Sequence, residues 1–554
     1  MAFYSMKHKN LIFFISAIIV AIPCFIVIPL NASDLYAHKF FLEFFTESLT
    51  EGNASPNWLG GVYAGCGAPT FFFYPPLTYY ISTPFLLLVK DTQFAFGFFM
   101  FFTTFIGSYF MYSYLRYFLK KNIAIFATVA YIFFPLKVAI FYLGGTPSEY
   151  LGYVFVPIFL FSIHKILDGN YRFWVLLGLS MALMIISSVS LVAILFFFFP
   201  IYVIFSYFLL HNKNNRGGIL KISFYGSLSL LLSIALSIFY LSPMLIERAH
   251  VHISKVANEH EIFFNLAWGV HAGPLIISLL LSIFFAHKIF KSNDYIAQKI
   301  GLLGFIFTGL LIFLMSPFSI WLWNNITLLK TIHLPMRLTL ILAFIFPLMF
   351  GLFIKNYPMA KFPDSKRFIG ATFALFLALF AMNQFGTTKS PEEDLRVETS
   401  SRYFHEFLPA QVPYENWNNP KNVLESAKQC RKKFLVMNGS ATLTNELWQN
   451  NRIELSISAE TDSTIQLGHF WYHLWEASID NEKIPLSYSD KNGQMILDIP
   501  KGKYNLILNL KKSKYQSESN IISIIAWLFT FFTLATQIFR KKLTIGHLKE
   551  REAQ

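Results

Sequence analysis

Pro75-Pro-Leu-Thr-Tyr-Tyr-Ile-Ser-Thr-Pro-Phe-Leu-Leu-Leu-Val89 is the stretch whose reading sets the topology of the whole chain. It is apolar enough to pass for a membrane span. Counted as one, it would put Arg116, Lys120 and Lys121 outside, whereas short cytoplasmic loops collect Lys and Arg. Read as a juxtamembrane or re-entrant helix on the outer face, it leaves those three cations inside. Every later loop then follows with a consistent sign of charge.

Outward from that stretch, apolar runs of about 18 residues or more recur from Leu11 to Thr536, and a helix of that length crosses about 30 Å of hydrocarbon. The chain has 554 residues, 55% of them hydrophobic and only 14% charged, with a mean hydropathy of +0.49. No soluble globular class has this balance. Leu11 to Leu30 is long for a signal-peptide core and more spans follow it, so it reads as a retained first helix. The expected spans are then Leu11–Leu30, Phe94–Leu119, Ile123–Leu143, Tyr150–Leu167, a hairpin of two spans turning at Ser187, Ser188 and Ser190, Leu220–Ile246, Gly273–Phe290, Ile300–Met315, Leu338–Ile354, Phe368–Asn383 and Ile521–Phe539. That makes about 12 transmembrane helices with both termini cytoplasmic and the large loops outside the cell (inner) membrane. Inner loops and tails hold roughly 22 Lys and Arg against about 5 acids, whereas most Asp and Glu lie outside.

The formal net charge of +14 could suggest a nucleic-acid partner. These cations punctuate the apolar runs, however, where they set topology, so no nucleic acid is implied. Cys24, Cys66 and Cys430 stand alone with no CxxC spacing; they indicate neither a zinc site nor a disulfide framework.

Residues 386–520 differ in kind. Runs such as Arg452-Ile-Glu-Leu-Ser-Ile-Ser, Ser463-Thr-Ile-Gln-Leu-Gly-His-Phe and Lys503-Tyr-Asn-Leu-Ile-Leu-Asn-Leu alternate apolar and polar residues, with turn signals at Asp490-Lys-Asn-Gly and Pro500-Lys-Gly-Lys. Period-two runs parted by turns argue for a small antiparallel β-sandwich in the second half of that segment. The expected organisation is a transmembrane domain over 1–385 with an outer loop at 31–93, an extracytoplasmic domain over 386–520, and a last helix with a basic tail over 521–554.

Ionisable residues at the outer helix ends are the candidates for chemistry, because an unpaired charge in hydrocarbon is costly. Asp34 and His38 lie four apart and share a face if a helix starts there, capped by Ser33 or Asp34. Asp34 is the candidate general base or metal ligand and His38 its partner; the bland alternative is a capping aspartate beside a surface histidine. The Gly- and Pro-dense run from Asn57 to Tyr80 forbids regular helix and suits a structured cap. Glu149 opens a helix on the same side, where it serves either the site or the helix dipole. Arg248 and His271 bracket the loop after the seventh span. His333 and Arg337 precede the tenth, where an arginine can hold a lipid phosphate or snorkel to headgroups. No Walker A, HExxH, GxSxG or dinucleotide signature occurs in a plausible context, which speaks against ATP-driven transport by this chain alone.

Together, Asp34-Leu-Tyr-Ala-His38, Trp58-Leu-Gly-Gly through Tyr74-Pro-Pro-Leu-Thr-Tyr-Tyr80, Ser148-Glu149, Leu334-Pro-Met-Arg337 and the run from His469 to Leu486 resemble bacterial GT-C-type membrane glycosyltransferases. More closely they resemble YfhO-type membrane proteins and the group labelled 6-pyruvoyl-tetrahydropterin synthase-related membrane proteins. The resemblance implies a GT-C-like fold, a polyprenyl-phosphate sugar as donor, and a catalytic acid at Asp34, with Glu149 lining the same cavity and a divalent metal ion, if one takes part, on Asp34. It further implies hexosyl or pentosyl transfer to an envelope glycan, lipid or protein. The chain departs from the pattern in two places. Leu35 stands where many relatives have a second acid, and His473-Leu474 replaces a Pro-Gly turn. The rival expectation is a non-enzymatic lipid-linked saccharide transporter or assembly factor whose Trp471, Tyr472, His473 and Trp475 stack on glycan.

Overall fold

Backbone amides in hydrocarbon must be satisfied within their own segment, so spanning elements are helices and irregular chain collects at their ends. The structure is a computed structural model that describes residues 2–26, 34–142, 144–210, 217–252, 272–326, 329, 332, 335–357, 407–418 and 420–553. Eleven of the twelve expected spans correspond to helices there: α1 (Ala2–Ile26), α4 (Thr92–Phe118), α5 with α6 (Lys121–Ile132, Pro135–Tyr142), α7 (Pro147–Leu167), α8 (Trp174–Ile185), α9 (Val189–Phe205), α10 (Ile219–Glu247), α11 (Ala272–Phe290), α12 (Tyr295–Leu314), α13 (Leu342–Asn356) and α15 (Gln516–Ala553). The twelfth, Phe368–Asn383, and the boundary expected at 385 lie outside the described residues. Among the described residues, seven helices are long and apolar enough to cross a membrane on their own, and shorter apolar helices accompany them. The protein is a polytopic membrane protein.

Helices α2 (Leu35–Thr50) and α3 (Leu77–Val89) lie between the first two spans. With 13 residues, α3 is about 20 Å long, short of the hydrocarbon thickness. Pro135 ends α5 and starts α6, since it cannot donate to the preceding turn. The bundle has a distinct centre and edge. In α7, 83% of the apolar window is buried within the protein, against 17% in α15; α7 is the axis and α15 faces lipid. Gly152 of α7 admits the Leu191 side chain of α9 where a β-carbon would collide with it, which brings these two helices close.

Residues 434–510 form two antiparallel sheets. The strands are β1 (Phe434–Asn438), β2 (Ala441–Trp448), β3 (Arg452–Ala459), β4 (Ser463–Phe470), β5 (Trp475–Ile479), β6 (Glu482–Ile484), β7 (Ser487–Tyr488), β8 (Gln494–Ile499) and β9 (Gly502–Leu510). One sheet runs β1-β4-β8-β7 and the other β2-β3-β9-β5-β6. The alternation read from the sequence is what buries Ile453, Leu455 and Ile457 of β3, Ile465 and Leu467 of β4, Leu497 and Ile499 of β8, and Leu506 and Leu508 of β9. Asp480 and Asn481, with φ of 47° and 71°, supply the left-handed pair that a two-residue β5–β6 hairpin demands. His473 and Leu474 still form a turn, closed by Trp475 N donating to the Tyr472 carbonyl at 2.9 Å.

The loop between α2 and α3 is welded to this β domain. The Asn450 backbone and side-chain amides both donate to Glu51 Oε2, at 2.9 and 3.1 Å, and its side-chain oxygen accepts from Gly60 N at 2.7 Å. Trp58, fully buried, donates to His469 Nε2 at 2.9 Å and packs against Tyr472 and Trp475. Cys66 and Cys430 form a disulfide, Cα to Cα 5.1 Å, between this loop and helix α14 (Pro420–Arg431). This corrects the reading of three unrelated cysteines. Pairing across 364 residues is set by the loop docking on the β domain, which spacing does not encode. Cys24 remains a buried thiol.

Two measurements follow from that bond. Maleimide labelling of the denatured, unreduced protein tags one cysteine, and reduction beforehand raises the count to three. Cys430→Ser lowers the unfolding free energy of the β domain by about 2–5 kcal/mol, the usual effect of losing a native disulfide. Three tags without reductant would disprove the bond.

Candidate active site

Asp34 is the N-cap residue of α2, yet its side chain makes no capping hydrogen bond to the helix amides. The bland reading of this residue as a helix cap therefore does not account for its carboxylate. Its placement depends on Gly145, at φ +67°, where a β-carbon would strike the Leu35 and Asp34 backbone. Only glycine lets the loop before α7 lie this close to the start of α2. That contact carries Glu149, in the first turn of α7, to the same place.

Glu149 is held from two sides. Arg337 Nε lies 3.0 Å from its Oε1, with 20% and 12% of the two side chains exposed, and the Ser190 hydroxyl donates to Oε1 at 2.9 Å. Arg337 sits in the 3-10 turn Pro335–Ile341 that leads into α13, and its Nη1 donates to the Ile332 carbonyl at 3.1 Å. Among the described residues its Nη2 makes no hydrogen bond. That edge of the guanidinium is suited to a phosphate.

Tyr74, from the welded loop, stands among these groups. Burial pushes its phenol up, the negative charges of Glu149 and Asp34 add to that shift, and Arg337 opposes it. One phenol thus feels all three charged candidates. His38 is buried beneath it, with Nε2 3.3 Å from the Tyr74 hydroxyl and Nδ1 2.7 Å from the Tyr79 hydroxyl. The histidine fixes the two phenols, and its own pKa is pushed down to about 3 by burial. The buried Ser148 hydroxyl approaches the same phenols without a hydrogen bond of good geometry.

The remaining candidates fall elsewhere. Arg248 is exposed just after α10, and no ion pair among the described residues joins it to Asp34 or Glu149. His271 and His333 lie outside the described residues. As for a divalent metal on Asp34, Glu149 already serves Arg337, and no three-ligand group among the described residues includes Asp34. The described surroundings do not fit a bound ion there. Tyr472 and Trp475 are buried against Trp58, and Trp471 packs on Tyr488, so the first two cannot stack on glycan.

With this geometry in place, comparison with known proteins adds little. No protein-family model matches the chain and no curated protein matches it. Among solved structures it is similar to the cryo-EM structure of the arabinofuranosyltransferase AftD from mycobacteria, at 14% identity and a TM-score of 0.42. The match covers 68% of this chain and 27% of that one, so the chain spans about a quarter of that protein's length.

One buried charge escaped the sequence reading. Lys137 is completely buried in α6, its Nζ 3.2 Å from the Tyr150 hydroxyl and 4.3 Å from the Tyr131 ring centroid. Its signal was available: a lysine inside an apolar span is a candidate by default.

His38 and His469 give the fold a pH dependence. Burial holds both neutral, at about 3 and about 4 against an ordinary 6.5. Below pH 6.5 the unfolded chain therefore takes up protons that the folded chain refuses. Stability is complete above 6.5 and falls by roughly 1.4 kcal/mol per pH unit for each histidine as the pH drops toward 4. Thermal melts between pH 7 and 4.5 should show this decline, with a shallower slope in His469→Gln. A flat profile would contradict burial of these rings as neutral groups.

Proposed function

We propose that the protein is a GT-C-type membrane glycosyltransferase moving a hexosyl or pentosyl group from a polyprenyl-phosphate donor to an acceptor on the non-cytoplasmic side of a bacterial cell membrane. The observation that supports it is the meeting, at the β-domain end of the bundle, of a carboxylate not used for capping with a braced arginine and carboxylate pair. The orientation rests on the placement of Lys and Arg. The Cys66–Cys430 bond agrees with it, since disulfides persist on the oxidising side of a membrane.

In this reading the Asp34 carboxylate takes the proton of the acceptor hydroxyl as its oxygen bonds to the anomeric carbon. The bond from that carbon to the phosphate oxygen breaks, and the lipid phosphate leaves with one more negative charge. Arg337 stabilises that developing charge through Nη2. Glu149 and Ser190 keep the guanidinium aimed, so that little reorganisation is needed during reaction. Tyr74, fixed by His38, walls the space between base and arginine.

Asp34→Asn should cut kcat by about a hundred- to ten-thousandfold with little change in donor KM, measured with a labelled lipid-linked sugar in proteoliposomes. Arg337→Gln should lower kcat and raise donor KM together. Gly145→Ala, which touches no substrate, should also slow turnover by displacing Asp34. Undiminished turnover of Asp34→Asn would sink the assignment. Movement of the lipid-linked sugar across the bilayer without transfer would favour the transporter.

A further inference from the structure

A second cluster of reactive side chains lies away from Asp34, where α10 meets the β domain. Glu247 ends α10, and His250 follows in the turn Arg248–His250. His473 comes from the turn between β4 and β5. The Glu247 side chain is 1% exposed, and its carboxylate accepts from Tyr472 at 2.7 Å and from the Ser513 hydroxyl, with His473 Nε2 2.6 Å away. The His250 and His473 rings face each other with centroids 3.8 Å apart. One ligand atom from each of Glu247, His250 and His473 lies within 4.8 Å of the others, the one such group among the described residues.

We propose that Glu247, His250 and His473 form a binding site for a divalent transition-metal cation of the zinc class, bridging α10 and the β domain. The Glu247 carboxylate offers a negative charge for a cation to balance. No Lys or Arg pairs with the Glu247 carboxylate among the described residues, and two imidazoles in face-to-face contact cannot both be protonated without repulsion. The donor set selects the metal: two imidazole nitrogens and one carboxylate suit zinc, whereas magnesium and calcium take oxygen ligands. Zinc bonds of about 2.0–2.2 Å in a tetrahedron need ligand atoms about 3.3–3.6 Å apart, so binding takes side-chain rotation that turns the facing rings edge-on to the ion, parts His473 Nε2 from Glu247 Oε2, now 2.6 Å apart, and draws the more distant atoms together. The Tyr472 and Ser513 hydroxyls already orient the carboxylate, as partners behind a metal ligand do. A fourth position stays open to water. The ion would pin the turn at 472–474 to the end of α10, on ligands separate from the Asp34 cluster.

The test uses the full chain in detergent, purified without a histidine tag, stripped with chelator, and titrated with zinc, cobalt, magnesium or calcium. One zinc per chain should be retained, and the melting transition should rise. At a free zinc concentration a hundred times Kd, the unfolding equilibrium should shift about a hundredfold toward the folded state. Cobalt should give the visible bands of a tetrahedral site. His250→Ala, which removes a part-exposed ring and should fold, and His473→Gln should each abolish the retained zinc and the shift. No zinc retained by the parent, zinc undiminished in His250→Ala, or equal stabilisation by calcium would each overturn the proposal.

Discussion

The ion pair between Arg337 and Glu149 is the contact on which the arrangement of this end of the bundle depends. Glu149 lies at the start of the buried α7, and with Ser190 it joins three segments far apart in sequence. A partly buried charge that loses its partner is strongly destabilising, so the turn before α13, the start of α7 and the start of α9 are constrained to meet. Gly145 then adds a fourth segment, because the chain before α7 can rest on α2 only where no side chain intervenes. The geometry around Asp34 is thus a by-product of satisfying Glu149.

The β domain is fastened to that end at two separate places. On one side the loop carrying Trp58, Cys66 and Tyr74 is joined to it by a covalent bond, buried aromatics and the Asn450 amide. On the other, Glu247 of α10 reaches Tyr472, His473 and Ser513. Tyr74 leaves the welded loop directly into the site, so a displacement of the β domain would be felt by the phenol between Asp34 and Arg337. This ties the β domain mechanically to the candidate site.

Much of this was legible in the sequence, and the limits have physical causes. Spans are readable because hydrocarbon tolerates only long apolar helices, and the α3 segment reads as a juxtamembrane or re-entrant helix because Arg116, Lys120 and Lys121 would otherwise face the wrong way. The strands were readable from their period of two. Asp34, Glu149 and Arg337 stood out as charges at helix ends. What the sequence could not supply was pairing at long range: Cys66 with Cys430, Trp58 with His469, and Glu247 with His473 each join residues hundreds of positions apart. Lys137 was passed over because charge at span ends was weighed more heavily than charge within a span. Helical spacing makes His38 a partner of Asp34, and spacing does not reveal the two phenols that enclose it.

The Cys66–Cys430 bond also bears on the order in which the protein is made. Ten of the expected spans lie between Cys66 and its partner, so Cys430 is synthesised only after all ten. Until then the loop has nothing to dock on: Trp58 and its aromatic neighbours stay uncovered, and the Cys66 thiol stays open to any other thiol nearby. Biogenesis therefore includes a long interval of exposure, ended only when α14 and the β domain are made. A cell that makes this protein needs thiol chemistry that tolerates the wait, and mispairing at Cys66 is the failure it must avoid.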